Sequence, residues 1–512
     1  MSVSEETLHR EVVNPEIVTF ENLRRVTRKR VLGYGVTMAL LGLLEVLWFG
    51  GASSALKTTV QLGYNSSTAM PPIASPVRVV PLLIGLSLLV PVVSRAARHI
   101  IPQRIKFTKG VRSFLIIVGG YLIIWPVALW LGVNSDGALR TLTIPVSMTG
   151  YVIGVLTLVA GCLLAWRRFD RGASPLLYGG LIFFLLEFLV WVARGSNVSG
   201  LHLQLTGILA AAVAAATFLI FGSLSGTLCE RSGVVNIAIE GQFMMGAMSS
   251  VMVVSAMNGT GISLFLGVVV AGVIGALLGW VLAVMSLRYQ ANQIIVGIVI
   301  VAFCTAVTQF IMAQVLDTHQ NLNGAFPLPV WSVPFFSHIP IVGPVVFDQN
   351  ILVYVAILGV IIANIALFRT RWGLRVRSVG EKPIASETVG VSVTRMRYGA
   401  VIVGGFVAGL GGAAFTIGAG TNFTFGMTNG YGYIALAIMI FGRWRPYGAL
   451  AASLLFGFTI ALSANLNIYL SQLVIPQQFI SMLPYIITIA AVAGLVGRIR
   501  PPAADGIPFS RE

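Results

Sequence analysis

Charge is what this 512-residue chain has least of: Asp, Glu, Lys and Arg together make up 10% of it, where an ordinary soluble domain carries about 25%. That scarcity excludes a soluble enzyme, a fibre and a disordered regulator. Acids are rarer than bases, 17 against 33, which leaves a net charge of +16. Only three cysteines occur, Cys162, Cys229 and Cys304, each in or beside an apolar stretch and none in a C-x-x-C pair. They read as buried small hydrophobes, and neither a disulfide framework nor a metal site is expected. The five histidines are scattered and no H-E-x-x-H occurs, so an intramembrane metalloenzyme would lack its ligands. None of the five lysines follows a glycine. Without a Walker A loop to cradle phosphates, no ATP site is expected on this chain.

What fills the chain instead is apolar residue, 56% of the total, with 56 glycines besides. Spans of about twenty residues fit near 32–50, 77–94, 113–132, 144–166, 176–193, 203–225, 234–257, 262–286, 294–316, 350–368, 398–420, 427–442, 447–470 and 479–497. The class implied is an all-α, polytopic integral membrane protein of about 14 segments. Arg24, Arg25, Arg28, Lys29 and Arg30 precede the first span and no small-residue cleavage site follows it, so that span reads as a retained anchor. With both termini inside, 29 of the 33 basic residues fall on the cytoplasmic side, leaving Lys57, Arg78, Arg140 and Arg194 outside. Lys and Arg concentrate in cytoplasmic loops, so the positive balance reports orientation and no nucleic-acid partner is expected. The organisation is a cytoplasmic segment 1–31, a membrane region of about five spans over 32–198, a core of about nine spans over 199–500, and a cytoplasmic tail 501–512.

Two connections are long. The outer one, 317–349, carries Pro327, Pro329, Pro334, Pro340 and Pro344, which should keep it irregular; it reads either as a passive connector or as a cover or contact surface at the outer mouth. The inner one, 369–397, holds seven basic residues. Within it, Pro383 suits a first helical position and Gly390 the residue just past a helix end, so one short helix is expected over Pro383–Val389. Too short to stand alone, it must be held by packing. Its flanks and body, Gly380, Glu381, Lys382, Pro383, Ile384, Ala385, Ser386, Glu387, Val389 and Gly390, form a candidate contact for a driving partner.

Polar groups also occur at membrane depth. Asn236, Glu240 and Gln242 lie within seven residues; Asn236 and Glu240, four apart, would share a helical face that Gln242 leaves. Asn422, Phe423, Phe425, Asn429 and Tyr431 precede an apolar run, Tyr431–Phe441, of about 16 Å as helix. That is too short for about 30 Å of hydrocarbon, so the span either recruits 423–430 or is broken. Broken helices paired across a transporter point to its path, whereas Asn, Gln and Gly also serve helix packing; both readings stand. Glu240 reads as a cap or an Arg231 ion pair ahead of a substrate contact. Asn292 and Gln293, just past Arg288, read equally as a gate contact or an interfacial turn. Glu45 and Glu187 are further costly intramembrane acids without nameable partners.

Four stretches carry a resemblance in order. Gly373–Tyr398, GLRVRSVGEKPIASETVGVSVTRMRY, looks like the cytoplasmic coupling segment of permeases in the branched-chain amino acid, ribose and nucleoside ABC importer superfamily. Ser225–Ala247, Tyr289–Gly297 and Phe425–Ala449 resemble motifs of its nucleoside-type permeases, while the first 200 residues depart from the pattern. The resemblance implies an importer subunit with no cofactor of its own. ATP and Mg would be used by a separate ATP-binding subunit. A second permease subunit, of the same or a different chain, and an extracytoplasmic substrate-binding protein would complete a complex in a prokaryotic plasma membrane. Simple sugars or another small polar solute are the alternative cargo. An ion-coupled secondary transporter is a weaker alternative, since it would need more midplane acids or histidines and would leave Gly373–Tyr398 without a role.

Overall fold

A computed structural model describes residues 203–470 apart from 335 and 339–341, together with 500–509, 482 and short stretches at 36–49, 57–61, 141–145, 151–152, 154–159 and 162. Two units divide the chain, Met1–Leu205 and Thr206–Glu512. The spans expected near 77–94, 113–132, 176–193 and 479–497, and with them Glu187, lie essentially outside the described residues.

In the first unit an apolar helix, Val36–Leu47, occupies the first expected span. Glu45 is buried beside Gly154 and within reach of Thr157, so one of its neighbours can now be named. Cys162 is exposed, against the reading of all three cysteines as buried; Cys229 and Cys304 are buried. The all-α expectation also needs correcting. Lys57–Gln61 pairs antiparallel with Thr141–Pro145, where alternating β-branched residues favour a strand over the start of a span.

The second unit is helical. Its elements are α1 (Leu205–Glu230), α2 (Ile239–Ala256), α3 (Gly261–Ala283), α4 (Gln293–Ile311), α5 (Ile351–Arg369), α6 (Arg371–Glu381), α7 (Pro383–Thr388), α8 (Val393–Ala413), α9 (Tyr431–Phe441) and α10 (Pro446–Leu470). Among the described residues, six helices are long and apolar enough to cross a membrane: α1, α3, α4, α5, α8 and α10, with α3, α4 and α8 extended by single π-turns. The described part of the connection 317–349 is more ordered than its prolines suggested. Val330–Ser332 pairs antiparallel with Asp348–Asn350, and one helical turn covers Val342–Val346. Pro329 and Pro334 flank the strand, and Pro344 sits in a first turn, where its missing N–H removes no helical bond.

Helices α2, α3 and α8 form the centre. In lipid the hydrophobic effect does not drive helices together, so close packing through small residues must do it. Gly275 lies against the backbone of Gly405 and Gly409, and a Cβ on Gly409 would collide with the Ala271 carbonyl. On its other side α8 meets α2, where a Cβ on Gly246 would stand 2.6 Å from the Gly409 carbonyl oxygen. Backbone thus touches backbone on both sides of α8. Gly409→Leu has no void to enter, and overpacking costs about 1–3 kcal/mol or more. The variant is expected to melt at clearly lower temperature than the parent in detergent; an unchanged melting curve would refute the seam.

Candidate functional site

The break in the α9 segment is real and is held by one carboxylate. α9 begins only at Tyr431; residues 421–424 are irregular and 425–430 are turns, with Gly426, Asn429 and Gly430 in the left-handed region. Glu240, in the first turn of α2, is buried and accepts three hydrogen bonds: from Thr428 Oγ1 at 2.6 Å, the Gly430 amide at 2.9 Å and the Gly432 amide at 2.7 Å. It therefore caps the N-terminus of a neighbouring helix, where amides and macrodipole favour negative charge. The expected Arg231 ion pair is not the arrangement found. Arg231 instead donates to the Trp444 carbonyl at 3.0 Å and the Arg443 carbonyl at 3.3 Å.

The shared face expected for Asn236 and Glu240 is also absent, because α2 starts at Ile239 and leaves Asn236 in the non-helical approach after Gly233 (φ +89°). Asn236 Nδ2 donates to Gln242 Oε1 at 3.1 Å and Ser225 Oγ at 3.2 Å, tying α1 to α2. Both amides are fully buried, and Asn236 Oδ1 and Gln242 Nε2 have no partner among the described residues. Asn292 is the exposed N-cap of α4, accepting from the Ile294 and Ile295 amides. Gln293 is buried, and its Oε1 accepts from the Val235 amide at 2.8 Å, bracing the approach to α2.

Tyr431 lies beside Phe218, which stands near the middle of α1. Phe218 and Phe415 stack with centroids 4.2 Å apart, and Tyr431 stands 5.1 Å from Phe218 and 6.0 Å from Phe415. Phe423 is fully buried, its backbone paired twice to Asn323, while Asn422, Phe425, Asn429 and Tyr433 are exposed. Phe218, Phe415 and Asn323 escaped the sequence reading. They lie in stretches far from Tyr431 in the chain, and only the fold makes them neighbours.

At the end of the core that carries the basic loops, the expected short helix is present as α7, one residue shorter than expected. Val389 is its C-cap and Gly390 takes φ +82° behind it. Ser386 is buried and donates to the Lys382 carbonyl at 3.0 Å; Ile384, Ala385 and Val389 are exposed, Ile384 by 73% and Val389 by 77%. Preceding it is a helix the sequence reading missed, α6, although its signals were present. Thr370 caps it by accepting from the Gly373 amide at 3.1 Å, and Val376 and Val379 are fully buried at helical spacing.

The tail binds this region together. The Ala504 amide donates to the Gly380 carbonyl at 2.9 Å and the Ala503 amide to Glu381 Oε2 at 3.3 Å. Arg397 of α8 is fully buried and donates to the carbonyls of Ser232 at 3.1 Å, Ile507 at 3.0 Å and Ala504 at 3.5 Å. Asp505 shares the site with Glu230, whose Oε2 accepts from the Trp444 indole at 2.6 Å. Burial pushes the Asp505 carboxyl up to about 6, against the opposing pull of its Glu230 hydrogen bond and of Arg397.

Comparison with known proteins places these features. The family model described as "Branched-chain amino acid transport system / permease component" matches residues 207–499. The chain is 37% identical over 297 residues to the nucleoside ABC transporter permease protein NupC of Lactococcus lactis, covering 57% of this chain and 93% of that one. It is 36% identical over 296 residues to the guanosine ABC transporter permease protein NupQ of Bacillus subtilis, covering 57% and 92%. It is 27% identical over 248 residues to the glucose ABC transporter permease protein TsgB13 of Haloferax volcanii, covering 46% and 64%. No solved structure matches.

Two outcomes follow from the geometry. Glu240→Ala strands three donors, and each buried donor left unpaired costs about 1–3 kcal/mol; thermal denaturation should show a large loss for Ala and a smaller one for Gln, which keeps an accepting oxygen. Equal stability of Glu240→Ala and the parent would contradict the cap. Because the Asp505 carboxyl is raised in the fold, its contribution to docking is full below about pH 4 and is lost as pH rises through about 6. Hydrogen exchange at the Ala504 amide, corrected for intrinsic rate, should lose protection between pH 5 and pH 7. Asp505→Asn should flatten that dependence.

Proposed function

The chain belongs to the branched-chain amino acid transport system permease family, and on that premise we propose that it is the nucleoside-carrying membrane subunit of an ATP-binding-cassette importer. The observation that carries this reading is the capped break at Tyr431. Irregular backbone at membrane depth is tolerated only where protein covers it or water fills a cavity, yet Asn422, Asn429 and Tyr433 are exposed there. Their face therefore lines a passage or meets a second permease subunit. Amides offer hydrogen bonds to ribose hydroxyls and base edges, and Phe425 and Tyr433 offer rings on which a base can stack. The names of the nucleoside- and guanosine-transporting relatives support this cargo. A simple sugar is the second reading, favoured by the glucose-transporting relative.

In this scheme the unit is oriented with α6, α7 and residues 500–509 in the cytoplasm and 317–349 outside, as the distribution of basic residues supports. The plasma membrane of a prokaryote is its setting. Ile384, Ala385 and Val389 present an apolar, exposed surface to a separate ATP-binding subunit, which uses ATP and Mg. The outer connection meets the extracytoplasmic substrate-binding protein. Power enters through α7 and reaches α8 and the α1–α2 approach by way of Gly380, Glu381 and the tail.

Ala385→Arg tests the scheme, because Ala385 is exposed and the folded subunit should tolerate the change. In the reconstituted complex, nucleoside uptake and nucleoside-stimulated ATP hydrolysis are expected to be lost while insertion persists. Full stimulation with Ala385→Arg would place coupling elsewhere. Stimulation of the parent complex by glucose and not by guanosine or uridine would overturn the cargo.

A further inference from the structure

A cleft of about 650 Å³ opens beside the turn between α9 and α10, lined by Asn364, Phe368, Phe441, Arg443, Arg445 and Tyr447. The turn is strained. Arg443 and Trp444 both take left-handed backbone, with φ 56° and 52°, at a cost of about 1–2 kcal/mol per residue for L-amino acids. It persists because Arg231 holds both carbonyls and the Trp444 indole is anchored on Glu230. The result is an alternation in which Trp444 is buried and Arg443 and Arg445 are exposed. Strain kept at so high a cost points to a use for what it presents.

Positive charge accumulates around one aromatic ring. Arg377 lies 4.9 Å and Arg231 5.7 Å from the Phe368 centroid, and Phe368 and the two exposed arginines share the cleft. Burial pushes the Arg231 guanidinium down, and Arg377 and Arg445 push it the same way while Glu381 opposes them. The Nε of Arg377 is buried without a partner among the described residues. Of the acids nearby, Glu230 is engaged by Trp444 and Glu381 by the tail. The cluster calls for an anion. Leading away from the cleft along α5 is a stripe of exposed apolar residues, Leu358, Ile361, Ile362 and Ile365, which reaches Phe368 at helical spacing.

We propose that this cleft is a binding site for an anionic phospholipid of the cytoplasmic leaflet, its phosphate between Arg443 and Arg445 and an acyl chain along the α5 stripe. A charged head over basic residues with an apolar tail beneath fits an amphiphile, and basic pockets between spans on the cytoplasmic side suit such headgroups. A soluble anion would use the arginines and leave the stripe idle.

The test uses the purified full chain, stripped of lipid in detergent and titrated by native mass spectrometry. Phosphatidylglycerol is the probe, phosphatidylcholine the zwitterionic control and inorganic phosphate the soluble competitor. Phosphatidylglycerol should bind at roughly tenfold lower concentration than phosphatidylcholine, and R443Q/R445Q should abolish the preference. The charge-keeping pair R443K/R445K should retain it, and so should R371Q/R375Q, which alters arginines outside the cleft. Equal binding of the two lipids by the parent chain overturns the proposal whether or not any variant folds. So does equal loss in R371Q/R375Q, which would mean diffuse surface charge, or displacement of the lipid by phosphate, which would mean a soluble-anion site. Expulsion of the lipid when a second permease subunit binds would mark the cleft as a subunit seam and also overturn it.

Discussion

The architecture hangs on one carboxylate. A helix that starts inside a packed core leaves amides without partners where water is scarce, and each such group is expensive. Glu240 removes that obstacle for α9 by taking two amides and a hydroxyl at once, and its own charge is stabilised by them. Because it belongs to α2, the same bonds fix α2 against α9. The aromatic group of Phe218, Phe415 and Tyr431 gathers at the level this sets. Without the cap, the stretch 421–430 would have no defined inner boundary, and the polar face it offers would have no fixed shape.

Around this point the core is packed backbone to backbone. Glycine contacts bring α2, α3 and α8 to backbone distance, and such interiors respond to force by shifting as units. Arg397 extends this packing downward, because it belongs to α8 and holds the Ser232 carbonyl and the tail together. Hydrogen bonds link α6 to the tail at Gly380 and Glu381, the tail to Arg397, and Arg397 to Ser232 in the approach to α2. Glu240 stands at the far end of that chain of contacts.

How much of this could be read from residues depended on whether the signal was local. Pro383 and Gly390 punctuate α7 because fixed φ and left-handed freedom are properties of single residues, and the structure departs from the expected end only at Val389. The shortness of Tyr431–Phe441 against the bilayer was likewise plain, and the break follows. The high cost of an intramembrane acid marked Glu240 as partnered, yet the partner lies some 190 residues away and no spacing rule reaches it. Asn236 fell off the helical face because it lies in the non-helical approach that follows Gly233, about one turn before α2 begins. α6 was hard to read because Val376 and Val379, its buried face, stand among arginines that suit a solvated basic loop equally well. The tail offered little to read: apart from Asp505, its role rests on backbone amides and carbonyls, which every sequence possesses.

That last feature sets an order of events during synthesis. Residues 500–509 are made after every helix they fasten, including α6 and α8, whose Arg397 must wait for two of its three carbonyl partners. Until then the guanidinium is buried with one partner, and Gly380 and Glu381 lack the tail amides that hold them. A nascent core thus keeps this face unfinished until residues 500–509 have been made and their amides and carbonyls have found α6 and Arg397.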